Sequence, residues 1–97
     1  MDYIDELKSV ILDLHGCEAA YLETAPVKEV FQGQTVWDGD VEVFEIHGHP
    51  KAKRCYAWAY QTEMKRRFMA VLELPPVDSP LNAVRIAIMS DAKNANK

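Results

Sequence analysis

Three runs of apolar, β-prone residues decide the fold of this 97-residue chain: VEVFEIH (41–47), KRCYAWAY (53–60) and RRFMAVLEL (66–74). Polar connections of five residues, 48–52 and 61–65, join consecutive runs. Connections this short favour antiparallel neighbours, because a parallel pair needs a crossover of about a dozen residues or more. The sequence therefore predicts an antiparallel meander at the centre of the molecule.

The chain before this meander predicts a further, weaker strand. Apolar and polar residues alternate over 17–31, and Gln32-Gly33-Gln34 is a turn sequence. Proline cannot donate to a strand ladder, so Pro26 restricts the segment to an edge strand or to two short pieces with a bend between them.

One amphipathic helix is predicted before the strands and one after them. Asp2 is a suitable N-cap for a helix over Tyr3–Leu14, and Gly16 supplies the left-handed residue that ends it. Ser79-Pro80 begins the second helix, which is expected to end near Ser90. Residues 91–97 lose apolar character and are expected to form a frayed tail. The apolar stripes of the two helices are Ile4, Leu7, Ile11 and Leu14, and Leu81, Val84 and Ile88.

Side chains alternate between the two faces of the expected sheet. Tight hairpin registers assign the large side chains to an aromatic face: Phe44, Ile46, Tyr56, Trp58, Tyr60, Phe68 and Leu72. They assign the others to a small-residue face: Val41, Val43, Cys55, Ala57, Ala59, Met69 and Val71. Small side chains let a helix approach closely, so both helices are expected over Ala57. The fold prediction is one α+β domain, residues 1–97, with a four-stranded, mainly antiparallel meander and both terminal helices on one face.

Composition bounds the class of protein. Hydrophobic residues are 48% and charged residues 27% of the chain, as in folded globular domains. The first residues are not expected to act as a signal peptide, since Met1–Asp5 contains two aspartates. No apolar run approaches the ~20 residues of a membrane span, and Cys17 and Cys55 do not make a disulfide framework. We expect a cytoplasmic protein without a cofactor and without membrane association.

Charge is segregated along the chain, although the net charge is only −4. Eleven acids and two lysines give residues 1–50 a charge of −9, whereas residues 51–67 carry +5. The acids Asp38, Asp40, Glu42 and Glu45 predict a solvated strand edge beside a basic neighbour. The candidate anion-binding residues of that neighbour are Lys51, Lys53, Arg54, Lys65, Arg66 and Arg67. Because they flank aromatic residues, a nucleic-acid-binding hairpin over residues 51–68 is one alternative function.

Histidine and cysteine supply a second alternative, a small metal-binding protein. His15 and Cys17 lie two residues apart, as do His47 and His49, and both residue types are zinc ligands. The spacing is shorter than in common zinc motifs, and the glycine between each pair is typical of a helix end or a turn. These four residues are therefore candidates only, and no metal is assigned.

The most favoured function follows from the expected sheet. No nucleophile, base and orienting group share a recognisable motif, so an enzyme is the less favoured interpretation. Two helices over Ala57 would leave the aromatic face to be covered by strand curvature, by residues 17–31, by a ligand or by a second subunit, and tyrosine and tryptophan are enriched in interface cores. The sequence thus predicts a non-enzymatic protein-interaction or self-association module, most simply a homodimer. Its expected contact residues are Phe44, Tyr56, Trp58, Tyr60 and Phe68.

Overall fold

The computed structural model describes residues 2–61 and 65–95. Two helices flank four strands along the chain: α1 (Tyr3–His15), β1 (Glu18–Phe31), β2 (Gln34–His47), β3 (Arg54–Gln61), β4 (Arg66–Leu72) and α2 (Pro80–Ala95). The strands form one sheet in the order β1-β2-β3-β4, and every neighbouring pair is antiparallel. The predicted α+β class, with a four-stranded antiparallel meander and a helix near each end of the chain, is confirmed.

Helix α1 begins and ends where its sequence dictates. The Asp2 side chain accepts a hydrogen bond from the backbone N–H of Asp5 at 2.8 Å, which satisfies a donor of the first turn. Gly16 adopts a φ of 68°, and its N–H donates to the Leu12 carbonyl at 2.9 Å. Glycine adopts this left-handed conformation without steric cost, so the helix ends there.

Strands β1 and β2 form a long hairpin with 14 residues in each strand. Its turn places Gln32 and Gly33 at φ values of 52° and 78°, and two successive positive φ values are typical of a tight hairpin turn. β1 is one continuous edge strand that contains Pro26, which confirms the first of the two alternatives for residues 17–31. Its register shifts at Leu22 and again near the turn.

Strand β2 diverges from β3 partway along its length, while it stays paired with β1. Its ladder with β3 covers only Glu42–Glu45 and Arg54–Ala57. Residues 25–41 of the hairpin extend past this ladder, and we call them the hairpin arm. Ala59, two residues past the ladder, donates its N–H to the Tyr3 hydroxyl at 3.0 Å. Helix α1 thus supplies an acceptor where β2 has diverged from β3.

The observed strand registers place the side chains of β2 and β4 on the faces opposite to those expected, relative to β3. Phe44 lies opposite Cys55, and Phe68 lies opposite Ala59, so both phenylalanines share a face with the small residues of β3. Val43 lies opposite Tyr56 and belongs to the other face. A shift of one residue in register moves every side chain of a strand to the opposite face. The expectation from tight hairpins was wrong by that one residue in each hairpin.

The two helices pack on opposite faces of the sheet, so the prediction that both lie over Ala57 was wrong. On one face, α1 packs its large side chains against small ones of the sheet; the buried residues are Leu7, Ile11, Cys17, Phe44, Ile46, Ala52, Cys55, Ala57 and Ala70. On the other face, α2 packs its small side chains against large ones; the buried residues are Val27, Val41, Val43, Tyr56, Trp58, Val77, Ala83, Val84 and Ala87. Each interface combines large with small side chains, as dense packing requires.

Helix α2 begins at the predicted cap and runs further than predicted. The Ser79 hydroxyl accepts a hydrogen bond from the Asn82 N–H at 3.2 Å. The helix continues to Ala95, past the expected end near Ser90, so residues 91–95 of the expected frayed tail are helical. Residues 96 and 97 lie outside the described residues. Neither α1 nor α2 is long and apolar enough to cross a membrane.

Candidate functional site

The aromatic residues expected to form an open contact face are covered by the chain itself. Phe44, Tyr56 and Trp58 are at most 2% exposed, and Tyr60 and Phe68 are half-buried. Tyr56 and Trp58 lie beneath α2, whereas Phe44 lies beneath α1. The expectation of an exposed aromatic face was wrong, because it required both helices to leave the same face free.

The polar tip of Tyr56 has a partner inside the protein. Its hydroxyl donates to a carboxylate oxygen of Glu73, in the segment that follows β4. Burial and, next, this hydrogen bond raise the pKa of Tyr56 above its ordinary value of 10.0. Tyr56 is therefore a satisfied core residue and not the polar rim of a binding surface.

The six candidate anion-binding residues lie at two separate ends of the sheet. Lys51, Lys53 and Arg54 lie at the start of β3, whereas Lys65, Arg66 and Arg67 lie at the start of β4. The β3–β4 register places Arg66 opposite Gln61, at the far end of β3 from Arg54. Because an extended strand rises about 3.3 Å per residue, the two groups of basic residues are about 20 Å apart. With Tyr56 and Trp58 buried, the basic residues do not surround an exposed aromatic platform, which a single-stranded nucleic acid would need for stacking.

Arg66 is held in place by its neighbours on the α1 face. Its guanidinium carbon lies 5.2 Å from the centre of the Tyr3 ring and 5.3 Å from that of Phe68. One guanidinium nitrogen lies 3.7 Å from a carboxylate oxygen of Glu6. Contact with two aromatic rings restricts the side chain and leaves it half-exposed at the start of β4.

The histidines and cysteines proposed as metal ligands have separate structural partners. His15 Nε2 donates to the Ala70 carbonyl at 2.9 Å, and Cys17 Sγ lies 3.4 Å from the His15 carbonyl oxygen, to which it donates. His47 Nε2 lies 3.3 Å from a carboxylate oxygen of Glu45. His49 Nδ1 accepts hydrogen bonds from two backbone N–H groups of the β2–β3 connection, at 3.0 and 2.8 Å. Within residues 2–61 and 65–95, no three histidine, cysteine or acidic side chains are grouped to hold a metal ion.

Both cysteine thiols are free and buried beneath α1. Burial first, and then the nearby Cys17, raise the pKa of Cys55 to about 12. A thiol with this pKa carries almost no thiolate at neutral pH, and the thiolate is the nucleophilic form. Cys55 is therefore suited to packing and unsuited to nucleophilic catalysis.

The carboxylate of Glu42 is buried, although the sequence predicted a solvated acidic strand. Its residue is 5% exposed, and the side chain accepts a hydrogen bond from the Thr24 hydroxyl on β1. The Tyr21 hydroxyl lies 2.5 Å from the same Thr24 oxygen. Because Thr24 uses its one proton for Glu42, Tyr21 donates to Thr24. This chain of hydroxyls links β1 to β2 beside the bulge at Leu22 and explains how a carboxylate is tolerated there.

Several exposed apolar side chains gather where the tip of the hairpin arm meets α2. Val30, Phe31 and Val36 of the arm are 50%, 64% and 45% exposed, and Met89 of α2 is 70% exposed. Together with Ile88 they line a depression of about 540 Å³. We call these five residues the tip patch. The sequence analysis did not predict the tip patch. The local pattern that could have indicated it is the presence of apolar residues on both sides of the turn Gln32-Gly33-Gln34.

An ion pair between α2 and β1 borders the tip patch. The Arg85 guanidinium on α2 donates to the Glu29 carboxylate on β1, and both residues line the same depression. The hydrogen bond and the charge of Glu29 raise the pKa of Arg85 above its ordinary value. The Arg85 side chain is half-exposed, whereas that of Glu29 is 13% exposed. The patch therefore carries both a positive and a negative group at its edge.

Comparison of the chain with protein-family models, with curated proteins and with solved structures finds no match.

Proposed function

We propose that this chain is a non-enzymatic self-association module that forms a homodimer through the tip patch. The observation that carries the proposal is the gathering of four large, exposed apolar side chains from β1, β2 and α2 around one depression. Exposed apolar groups that are contiguous mark interaction sites far more often than single exposed residues do. The depression has the concave shape into which an apolar side chain such as Phe31 of a second copy would fit.

The charges at the border of the patch favour a second copy of the chain as the occupant. In a two-fold dimer, the same patch is present on both subunits, and each contact occurs twice. Glu29 of one copy can then face Arg85 of the other, and Arg85 of the first can face Glu29 of the second. A patch with one charge of each sign is complementary to itself, whereas it would suit a strongly charged partner poorly.

The expected compartment is part of the same proposal. Cys17 and Cys55 are both free and buried, which suits a compartment that keeps thiols reduced. We therefore propose that the dimer forms in the cytoplasm.

Replacing Phe31 by serine should dissociate the dimer. Phe31 is the largest side chain of the patch, and truncation of a central aromatic residue at an interface costs about 2 kcal/mol or more. This corresponds to an increase of about thirtyfold or more in the dimer dissociation constant. Sedimentation velocity over a concentration series measures the constant for both proteins.

Leu12→Ser is the matched control for that experiment. Leu12 is 52% exposed on α1, outside the tip patch, so its replacement removes an exposed apolar side chain of similar accessibility. The control should dimerise like the wild type. A wild type that sediments as a monomer at all concentrations would overturn the proposal, and so would equal weakening by Phe31→Ser and Leu12→Ser.

A further inference from the structure

The two edge strands of the sheet differ in regularity and in charge. β1 contains Pro26, two register shifts and an excess of acidic residues, all of which hinder the addition of another strand. β4 pairs with β3 in an unbroken register over seven residue pairs. Its sequence, RRFMAVL, contains neither proline nor an acid and begins with two arginines. Of the two edges, β4 is the one suited to accept an extended partner.

The hydrogen-bond pattern identifies which β4 backbone groups face the open edge. The Glu73 N–H donates to the Arg54 carbonyl at 2.9 Å, so residues 54 and 73 form a hydrogen-bonded pair. Such pairs alternate along an antiparallel ladder, so residues 67, 69 and 71 point their backbone groups at β3. The backbone groups of Arg66, Phe68, Ala70 and Leu72 point away from it.

Two hydrogen bonds agree with this assignment and show which outward-facing carbonyl groups of β4 already have a partner. The Ala70 carbonyl accepts the His15 imidazole of α1 at 2.9 Å, and the Leu72 carbonyl accepts the Leu74 N–H at 2.9 Å. The second half of the β4 edge is therefore partly occupied. Among residues 2–61 and 65–95, the open portion of the edge is the first half, where the N–H and C=O groups of Arg66 and Phe68 face outward.

A groove lies beside this open portion, between α1 and β4. It has a volume of about 370 Å³. Its apolar lining includes Leu14, which is 61% exposed, together with Val10 and Phe68, which are half-buried. Its charged lining comprises Asp13 together with Lys65, Arg66 and Arg67, which leaves the groove with a net positive charge. The groove therefore joins apolar surface to a cluster of positive charge next to an open strand edge.

We propose that an acidic, extended peptide segment of a protein partner adds to the β4 edge at this groove. Backbone hydrogen bonds to residues 66 and 68 would hold it as a fifth, antiparallel strand. Successive residues of a strand face opposite sides of the sheet, so two acids at consecutive positions of the peptide would lie opposite Arg67 and opposite Arg66, which also keeps Glu6 as a neighbour. An apolar residue one position earlier lies opposite Phe68 and enters the groove. The segment recognised is thus an apolar residue followed by two acids.

This site is independent of the tip patch. The tip patch uses the hairpin arm and α2, whereas the peptide groove uses α1 and β4. The peptide segment should therefore bind to the dimer and to a dissociated variant alike.

The test uses a fluorescein-labelled peptide of sequence Thr-Val-Thr-Leu-Glu-Glu and fluorescence anisotropy with the full chain. The same peptide with lysines in place of both glutamates is the first control and should not bind. The double variant Arg66→Glu and Arg67→Glu should weaken binding by about tenfold or more, because the introduced carboxylates then face the two glutamates of the peptide. Lys51→Glu with Lys53→Glu makes the same change of charge at the other end of the sheet and should leave the affinity unchanged.

Methylation of single peptide amides separates strand addition from charge attraction alone. N-methylation of the leucine removes the donor that would meet the Phe68 carbonyl and should weaken binding by about threefold to tenfold, the value of one hydrogen bond. N-methylation of the first glutamate affects an N–H that points away from β4 and should have a smaller effect. Equal effects of the two methyl groups would overturn strand addition.

Four further results would overturn the proposal, and three of them come from the binding measurement. These are the absence of binding at millimolar protein, equal binding of the lysine peptide, and binding that survives the Arg66→Glu and Arg67→Glu changes. Dissociation of the homodimer by those two changes would assign the β4 edge to a second copy and would also overturn it. The three binding results leave the test at Phe31 unaffected, so failure of the peptide site is distinguishable from failure of the proposed dimer, whereas dissociation by Arg66→Glu and Arg67→Glu would contradict both proposals.

Discussion

Trp58→Ala should lower the free energy of unfolding by about 3–5 kcal/mol, the usual cost of removing a buried tryptophan from a core. Trp58 is 2% exposed beneath α2 and contacts the Trp37 ring edge-to-face, with 5.9 Å between ring centres. Its removal eliminates both the buried area and this aromatic pair, and surrounding residues cannot fill so large a cavity. Chemical denaturation followed by circular dichroism measures the change.

This loss is a large fraction of the whole stability of a small domain, which is typically about 5–15 kcal/mol. Trp58→Phe is therefore a useful second variant, since it keeps an aromatic ring and should cost less. An exposed interface position would behave differently, because truncation there weakens association and leaves the stability of the monomer nearly unchanged. A loss of about 0.5 kcal/mol or less for Trp58→Ala would contradict the position of α2 over this face, since that is the range for surface changes.

Leu7→Ala should lower the free energy of unfolding by about 2–5 kcal/mol. Leu7 is fully buried on α1 against the small residues of the sheet. Leu12→Ala on the same helix is the matched control, since Leu12 is 52% exposed and its truncation should change stability by about 0.5 kcal/mol or less. The comparison of the two leucines in one denaturation series tests which side of α1 contacts the sheet. Equal effects would contradict the packing of α1 described above.

Local patterns in the sequence were sufficient to predict the elements of the fold. The alternation of residues in β3, the cap at Asp2 and the start at Ser79 are each determined by neighbours within a few positions. The same patterns could not fix the register of the hairpins, because a connection of five residues admits more than one pairing. That single-residue difference moved Phe44 and Phe68 to the opposite face. The prediction of an exposed aromatic surface failed for a separate reason, because α2 covers the face of Tyr56 and Trp58.

The candidate sites depend on contacts between distant parts of the chain, which explains why the sequence did not predict them. Glu29 and Arg85 are separated by 56 positions and meet because the hairpin arm lies against α2. His15 and Ala70 are separated by 55 positions and meet at the edge of β4. The segregation of charge was visible in the sequence, but its division between two ends of the sheet required the strand order.

The two sites proposed here give different uses to the same fold. The hairpin arm, which β2 forms by leaving the ladder with β3, presents apolar residues at its tip and places Glu29 beside Arg85. The opposite edge of the sheet keeps a regular strand with arginines at its start. Self-association at one edge and peptide capture at the other do not compete for surface.

An exchange of charges between two variants tests the self-complementary patch most directly. Glu29→Arg gives a copy with two positive groups at the border of the patch, and Arg85→Glu gives a copy with two negative groups. Each variant alone places like charges across the two-fold axis and should remain monomeric at concentrations where the wild type is dimeric. The ion pair within each copy is broken in both variants, so it cannot account for any difference between separate and mixed samples.

Sedimentation velocity of the two variants in an equimolar mixture is the decisive measurement. The proposed dimer predicts that mixing restores a dimeric species, since the new arginine at position 29 faces the new glutamate at position 85, and the native pair of charges is restored at the second contact. Two variants that dimerise separately as well as the wild type, or that remain monomeric when mixed, would contradict a two-fold contact through the tip patch.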